Sequence, residues 1–175
     1  MKEQFIHVNK DGDKRYYSDR EMQKLHREDG PAVEWADGDK EWWINGKLHR
    51  EDGPAIEWAS GGKEWFINGK RHREDGPAVE WASGDKEWWV NDKRHREDGP
   101  AVEWANGTKS WWVNGKRHRE DGPAVEYADG DKEWWINDKH LTEDEFNARM
   151  NPVELTLEDI AAQFGVSVNP IKIKK

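Results

Sequence analysis

The sequence predicts a mainly β protein: an elongated antiparallel β-meander repeat array with a small α/β C-terminal cap. Three observations predict it. The heptapeptide HREDGPA starts at His26, His49, His72, His95 and His118, always 23 residues apart, and a fixed period of that size is the signature of a stacked array. Each unit, for example HREDGPAVEWADGDKEWWINGKL from His26 to Leu48, holds two short stretches with the period of two that marks a strand. The chain also carries 13 Trp among its 175 residues, each able to bury about 150–250 Å². Leu, Ile, Val and Phe together make only about 15% of the chain. So low an aliphatic content belongs to disordered chains, but regularly spaced indoles do not. The core is therefore expected to be built of Trp.

Three segments follow from the period. Residues 1–25 form a degenerate N-terminal repeat and cap, because DGDKRYY at 11–17 aligns with DGDKEWW at 37–43 and puts Tyr16 and Tyr17 where Trp42 and Trp43 stand. Residues 26–139 hold five full repeats. Atypical ends are what an open array needs. Within the first repeat, 32–36 and 41–45 alternate as strands, joined by a short turn of even length at 37–40. That parity places Val33, Trp35, Trp42 and Ile44 on one face. It places Ala32, Glu34, Ala36, Glu41, Trp43 and Asn45 on the other.

Pro31 can open a strand, where its missing N–H does least harm. Gly30 and Gly46 suit the positive φ of tight turns. From Asn45 one long connection runs to the next Pro. Three aromatic ladders result. Trp35, Trp58, Trp81, Trp104 and Tyr127 form one; Tyr16, Trp42, Trp65, Trp88, Trp111 and Trp134 form another. Both share the Val/Ile face and are expected in the core. The third, Tyr17, Trp43, Phe66, Trp89, Trp112 and Trp135, lies on the Glu/Ala face. Two strands per repeat advance the sheet roughly 10 Å, giving a length of around 50 Å.

Residues 140–175 predict the cap. Thr142 and Glu145 make a capping box that starts a short helix, and Asn151-Pro152 ends it. Val153–Leu155 reads as strand, Leu157–Phe164 as helix stopped by Gly165, and Val166–Ile173 as strand again.

WWINGKLHREDGPAIEWASG at 42–61 and NGKRHREDGPA at 68–78 resemble the variant MORN repeats, whose period is also 23. The resemblance covers about 26–139. It implies an elongated antiparallel sheet used for binding or scaffolding rather than catalysis. Such variants are frequent in tailed-phage, giant-virus and bacterial proteomes. The implied function is a phage accessory protein that occupies or sequesters a host protein, a defence component among the options.

Composition narrows the alternatives. A net charge of −9 argues against a direct grip on nucleic-acid phosphates, although it leaves an acidic nucleic-acid mimic open. No apolar run reaches the 18 or so residues of a membrane span, and MKEQFIHVNKDGDK has no secretory h-region; no membrane association and a cytoplasmic location are expected. Without Cys there is no disulfide, thiol nucleophile or thiolate metal site. None of Ser18, Ser60, Ser83, Ser110 and Ser167 sits in a GxSxG context, and neither a P-loop nor GxGxxG occurs. Five equal His-Arg-Glu-Asp copies read as turn chemistry, with His and Arg packed between neighbouring loops. No catalysis, cofactor or metal is expected.

The candidate partner- or ligand-binding residues are Trp43, Phe66, Trp89, Trp112 and Trp135, with Arg73, Arg96 and Arg119 beside them. An exposed Trp stripe suits a host or cellular protein partner. It also suits a small aromatic or sugar ligand, such as a nucleotide or glycan, stacked on indole. Self-association into a homo-oligomer is a further alternative. Against all of these stands Trp43 lying flat over Ala32 and Ala36, or covered by the C-terminal helices.

Overall fold

The computed structural model describes residues 4–152 and 157–165. The degenerate copy supplies β1 (Phe5–Val8) and β2 (Lys14–Tyr17). The first full repeat supplies β3 (Val33–Glu34), β4 (Lys40–Glu41), β5 (Trp43–Ile44) and β6 (Lys47–Leu48). β1 to β4, their counterparts in later repeats and the final strand Lys139–Leu141 form one antiparallel meander of 13 strands. At about 4.8 Å per strand it is roughly 55–60 Å long. β5 and β6 make a separate hairpin beside the sheet, and Phe66–Ile67, Trp89–Val90 and Trp112–Val113 do the same with their partners.

The loop between β3 and β4 decides which side chains share a face. Trp35 donates its N–H to Asp39 O at 3.0 Å, Gly38 donates to Trp35 O at 3.0 Å, and Gly38 takes φ +104°. The loop is therefore three residues long, a turn closed by a left-handed glycine, and not the even loop expected. Val33 stands opposite Glu41 and Glu34 opposite Lys40. A one-residue difference moves every later side chain to the other face, so Glu41 and Trp43 belong with Val33, and Trp42 does not.

The expected strand at 41–45 is also broken. Glu41 belongs to the long sheet and Trp43 to the side hairpin, and the chain leaves the sheet at Trp42, whose N–H donates to Ala55 O at 2.8 Å. Only in the last repeat does one strand, Lys132–Ile136, run through both. The long connection expected from Asn45 begins instead with a second hairpin. Asn45 and Gly46 take φ of +52° and +75°, the two-residue turn that matches strand twist. Each such turn is tied to the preceding repeat: Gly46 donates to Leu25 O and Gly69 to Leu48 O, both at 2.8 Å.

The core is smaller than expected and is not made of Trp. Each repeat contributes an Ala–Val or Ala–Ile pair, from Ala32 and Val33 at 0% and 1% exposure to Ala124 and Val125 at 0% and 3%, and Phe66, Ile136, Leu141 and Phe146 are buried as well. A single sheet flanked by two-residue hairpins encloses a methyl or isopropyl group but not an indole. Most Trp side chains lie half-buried around these pairs, with Trp42, Leu48 and Trp58 against Ala55, Ile56 and Phe66.

At the C-terminal end, α1 (Glu143–Met150) starts with the expected capping box: Glu145 N–H donates to Thr142 Oγ1 at 3.2 Å and Thr142 N–H to Glu145 Oε2 at 2.9 Å. Phe146 packs with Ile136, Leu141, Trp134 and Met150. α2 (Leu157–Phe164) forms as expected. The strands expected at Val153–Leu155 and Val166–Ile173 lie outside the described residues. Among the described residues, no helix is long and apolar enough to cross a membrane.

Candidate functional site

The HREDGPA loop is organised around its Arg. The Arg50 guanidinium lies 4.1 Å over the Trp42 ring of the preceding repeat. Its Nε donates to Asp52 at 2.9 Å and its Nη1 to Pro54 O at 3.2 Å and Glu57 at 3.0 Å. Arg27 on Tyr16, Arg73 on Trp65, Arg96 on Trp88 and Arg119 on Trp111 repeat the stack at 4.0–4.1 Å. The Arg hydrogen bond holds the carboxyls of Asp29, Asp52, Asp75, Asp98 and Asp121 below their ordinary range.

The glycine of the motif follows from the clasp. A Cβ on Gly53 would stand 2.8 Å from Arg50 Cζ, and one on Gly30 would stand 3.0 Å from Arg27 Cζ. Gly30 is therefore small for want of room and not for the positive φ expected of it, which it does not adopt. The histidine closes the loop: His26 Nδ1 accepts the Asn45 N–H at 3.1 Å, and His49, His95 and His118 accept from Asn68, Asn114 and Asn137. Among the described residues, no three or more His, Asp or Glu side chains are grouped as a metal site.

Of the predicted site residues, Trp43, Phe66, Trp89, Trp112 and Trp135 do form one row, but Arg73, Arg96 and Arg119 lie over Trp65, Trp88 and Trp111 instead. The cations within the row are Arg71, Arg94 and Arg117, which sequence reasoning did not select. In the side hairpins Phe66 stands opposite Arg71, Trp89 opposite Arg94 and Trp112 opposite Arg117. Each of these Arg side chains also reaches the next repeat's ring. Arg71 Cζ is 5.4 Å from Phe66 and 5.5 Å from Trp89, Arg94 is 5.0 and 5.3 Å from Trp89 and Trp112, and Arg117 is 5.2 and 5.1 Å from Trp112 and Trp135. His140 ends the row, 4.7 Å from Trp135. A groove of about 420 Å³ runs between Trp89, Arg94 and Trp112. The signal for these cations is the Asn-Gly dipeptide before Arg71 and Arg117 and its Asn-Asp counterpart before Arg94: a two-residue turn there puts the residue before each His directly opposite the aromatic.

Carboxylates support the row from the long sheet. Trp43 Nε1 donates to Glu41 at 2.7 Å, Trp89 Nε1 to Glu87 at 3.0 Å and Trp135 Nε1 to Glu133 at 2.8 Å. Arg71 Nε donates to Glu64 at 2.9 Å and Arg94 Nε to Glu87 at 3.1 Å. Burial works against ionising Glu133, but the hydrogen bonds from Trp135 and Tyr127 prevail and keep its carboxyl below the usual range.

Of the two ladders assigned to the core by parity, the one that starts at Trp35 is the most open of all three, and the one that continues through Trp42 is half-buried. Trp81, Trp104 and Tyr127 are 41%, 39% and 39% exposed, each standing directly before the hairpin loop at the rim of the sheet. Trp58, Trp81, Ser60, Ser83 and Asp85 line a groove of about 510 Å³ there. Arg15 lies 4.8 Å over Trp35, but among the described residues no guanidinium covers Trp58, Trp81, Trp104 or Tyr127.

The fold and its rows define an elongated β-hairpin repeat protein with side chains in register along the array. No family model matches the chain, and no curated protein matches it in sequence.

Proposed function

We propose that the protein is a non-enzymatic binding module that occupies a protein partner through the loop-side row Trp58, Trp81, Trp104 and Tyr127. One observation carries this reading. These rings recur once per repeat with three of them 39–41% exposed, while the Trp42 and Trp89 rows, Trp43 and Trp134 apart, have guanidinium groups against their rings. Trp and Tyr are the commonest anchors of protein interfaces. A stacked nucleotide or sugar on Trp89 or Trp112 is disfavoured, because Arg71, Arg94 and Arg117 already lie against those rings. The resemblance to variant repeats of phage extends the proposal to a phage accessory protein acting in the cytoplasm on a host defence protein.

A second reading, the nucleic-acid mimic, draws on the HREDGPA edge, where the side chains of Glu28, Glu51, Glu74, Glu97 and Glu120 are 71–88% exposed at one-repeat intervals. A mimic binds by charge, so its affinity falls steeply with salt. Native mass spectrometry of the tagged chain recovered from host-cell lysate tests the first reading. A gain of many kilodaltons, lost in Trp81→Ala with Trp104→Ala, is expected. A gain of only a few hundred daltons, or a partner retained by that variant, overturns it.

A further inference from the structure

The fourth repeat breaks the carboxylate pattern beneath the Arg/aromatic row. Glu41, Glu64, Glu87 and Glu133 become Ser110 there. Both donors that this Glu would serve are retained. Trp112 and Arg117 stand opposite each other in the hairpin, as Trp89 and Arg94 do one repeat earlier. In that earlier repeat Glu87 Oε2 accepts from Trp89 Nε1 at 3.0 Å and from Arg94 Nε at 3.1 Å. In the fourth repeat Trp112 Nε1, Arg117 Nε and Ser110 Oγ are all buried without a hydrogen-bond partner. Ser110 itself is 1% exposed.

Three orphaned polar atoms in one place are costly. The other two orphans among the described residues, Trp58 Nε1 and His72 Nδ1, stand alone in separate repeats. Arg71 and Arg94 pair with Glu64 and Glu87 at 2.9 and 3.1 Å, whereas no carboxylate among the described residues bridges Arg117. Glu133 of the next repeat senses the Arg117 charge, but its oxygens already take Trp135 Nε1 and Tyr127 Oη.

The chemistry of the exchange fixes the size of what is missing. Ser Oγ stands at the place of Glu Cγ, and the atoms then lost are one carbon and two oxygens, the heavy atoms of a formate ion. We propose that the fourth repeat is a binding site for a small free carboxylate of formate size, held by Trp112 Nε1–H, Arg117 Nε–H and Ser110 Oγ–H where Glu87 lies in the third. Arg117 supplies the charge, Trp112 a directed donor, and Ser110 a hydroxyl that turns to donate. The donors are buried, which favours a free ion over a carboxylate tethered to a partner's backbone. The three donors include none of the loop-side rings, so the test stands whatever that row binds.

The test uses the full chain with ¹⁵N-labelled indoles, titrated with sodium formate at constant ionic strength. Sodium butyrate, of equal charge and greater length, is the size control. The Trp112 Nε1–H resonance, assigned by its loss in Trp112→Phe, is expected to move saturably with formate and not with butyrate. Phe66 shows that the array accepts Phe at this position. Ser110→Glu restores the internal carboxylate and is expected to abolish the formate response. Arg117→Leu, copying Leu48, is expected to weaken formate by roughly tenfold or more. A Trp112 resonance that ignores formate, answers formate and butyrate alike, or responds as strongly in Ser110→Glu overturns the proposal.

Discussion

Arg96 illustrates how single residues hold neighbouring repeats together. Its guanidinium stacks 4.1 Å from the Trp88 ring and donates to Asp98 at 2.9 Å, Pro100 O at 3.3 Å and Glu103 at 3.0 Å. Arg96→Ala is expected to cost about 2–4 kcal/mol in urea denaturation, and Trp88→Ala about 3–5 kcal/mol. The double variant should reveal a coupling of about 1 kcal/mol; strictly additive costs would show that the stack contributes nothing. Acid acts on the same clasp. Asp29, Asp52, Asp75, Asp98 and Asp121 titrate in the folded chain below their unfolded value near 3.8. The folded state therefore binds fewer protons, and the pairing stabilises above that pH and is lost as pH falls through the lower folded values. Tm is expected to fall more steeply below about pH 4 in the wild type than in Asp52→Asn with Asp98→Asn; equal slopes would remove these carboxylates from the account. The motif was legible as turn chemistry because it recurs unchanged. What Arg stacks on was not, because that ring belongs to the preceding repeat.

Among the elements, the hairpin loops carry most of the information. The Asn45-Gly46 turn was available to sequence reasoning, and recognising it would have placed Arg71, Arg94 and Arg117 opposite their aromatics. The 36–38 loop was harder to read, since Asp-Gly occurs in both two- and three-residue loops, and its length decides the face of every residue after it. The capping box at Thr142 and Glu145 was legible because it is local chemistry. The last repeat depends on the helix this box begins. Phe146→Ala, at a position 5% exposed, is expected to cost about 3–5 kcal/mol, and Thr142→Ala about 1 kcal/mol. Both should accelerate amide exchange first in Lys132–Ile136 and Lys139–Leu141, the strands that α1 contacts. Uniform acceleration along the array, or none, would contradict a local role for α1.

Across the whole molecule, the fold class followed from the period alone: a 23-residue unit with two strand-like stretches leads to a meander. The burial pattern did not follow, because a sheet of two-residue strands has no second layer able to enclose an indole. The alanine and valine of each repeat fill the interior and the tryptophans border it. One row lies under the HREDGPA clasps, one interleaves with Arg71, Arg94 and Arg117, and one opens to solvent at the loops. Parity had assigned that last row to the core together with the row under the clasps. Hydroxyl-radical footprinting of the full chain, read residue by residue by mass spectrometry, measures this arrangement most directly. Trp81 and Trp104 are expected to oxidise faster than Trp88, Trp89, Trp111 and Trp112, and to be protected when the partner binds. Faster oxidation of Trp89 and Trp112 than of Trp81 and Trp104 would contradict both the face assignment and the binding surface drawn from it.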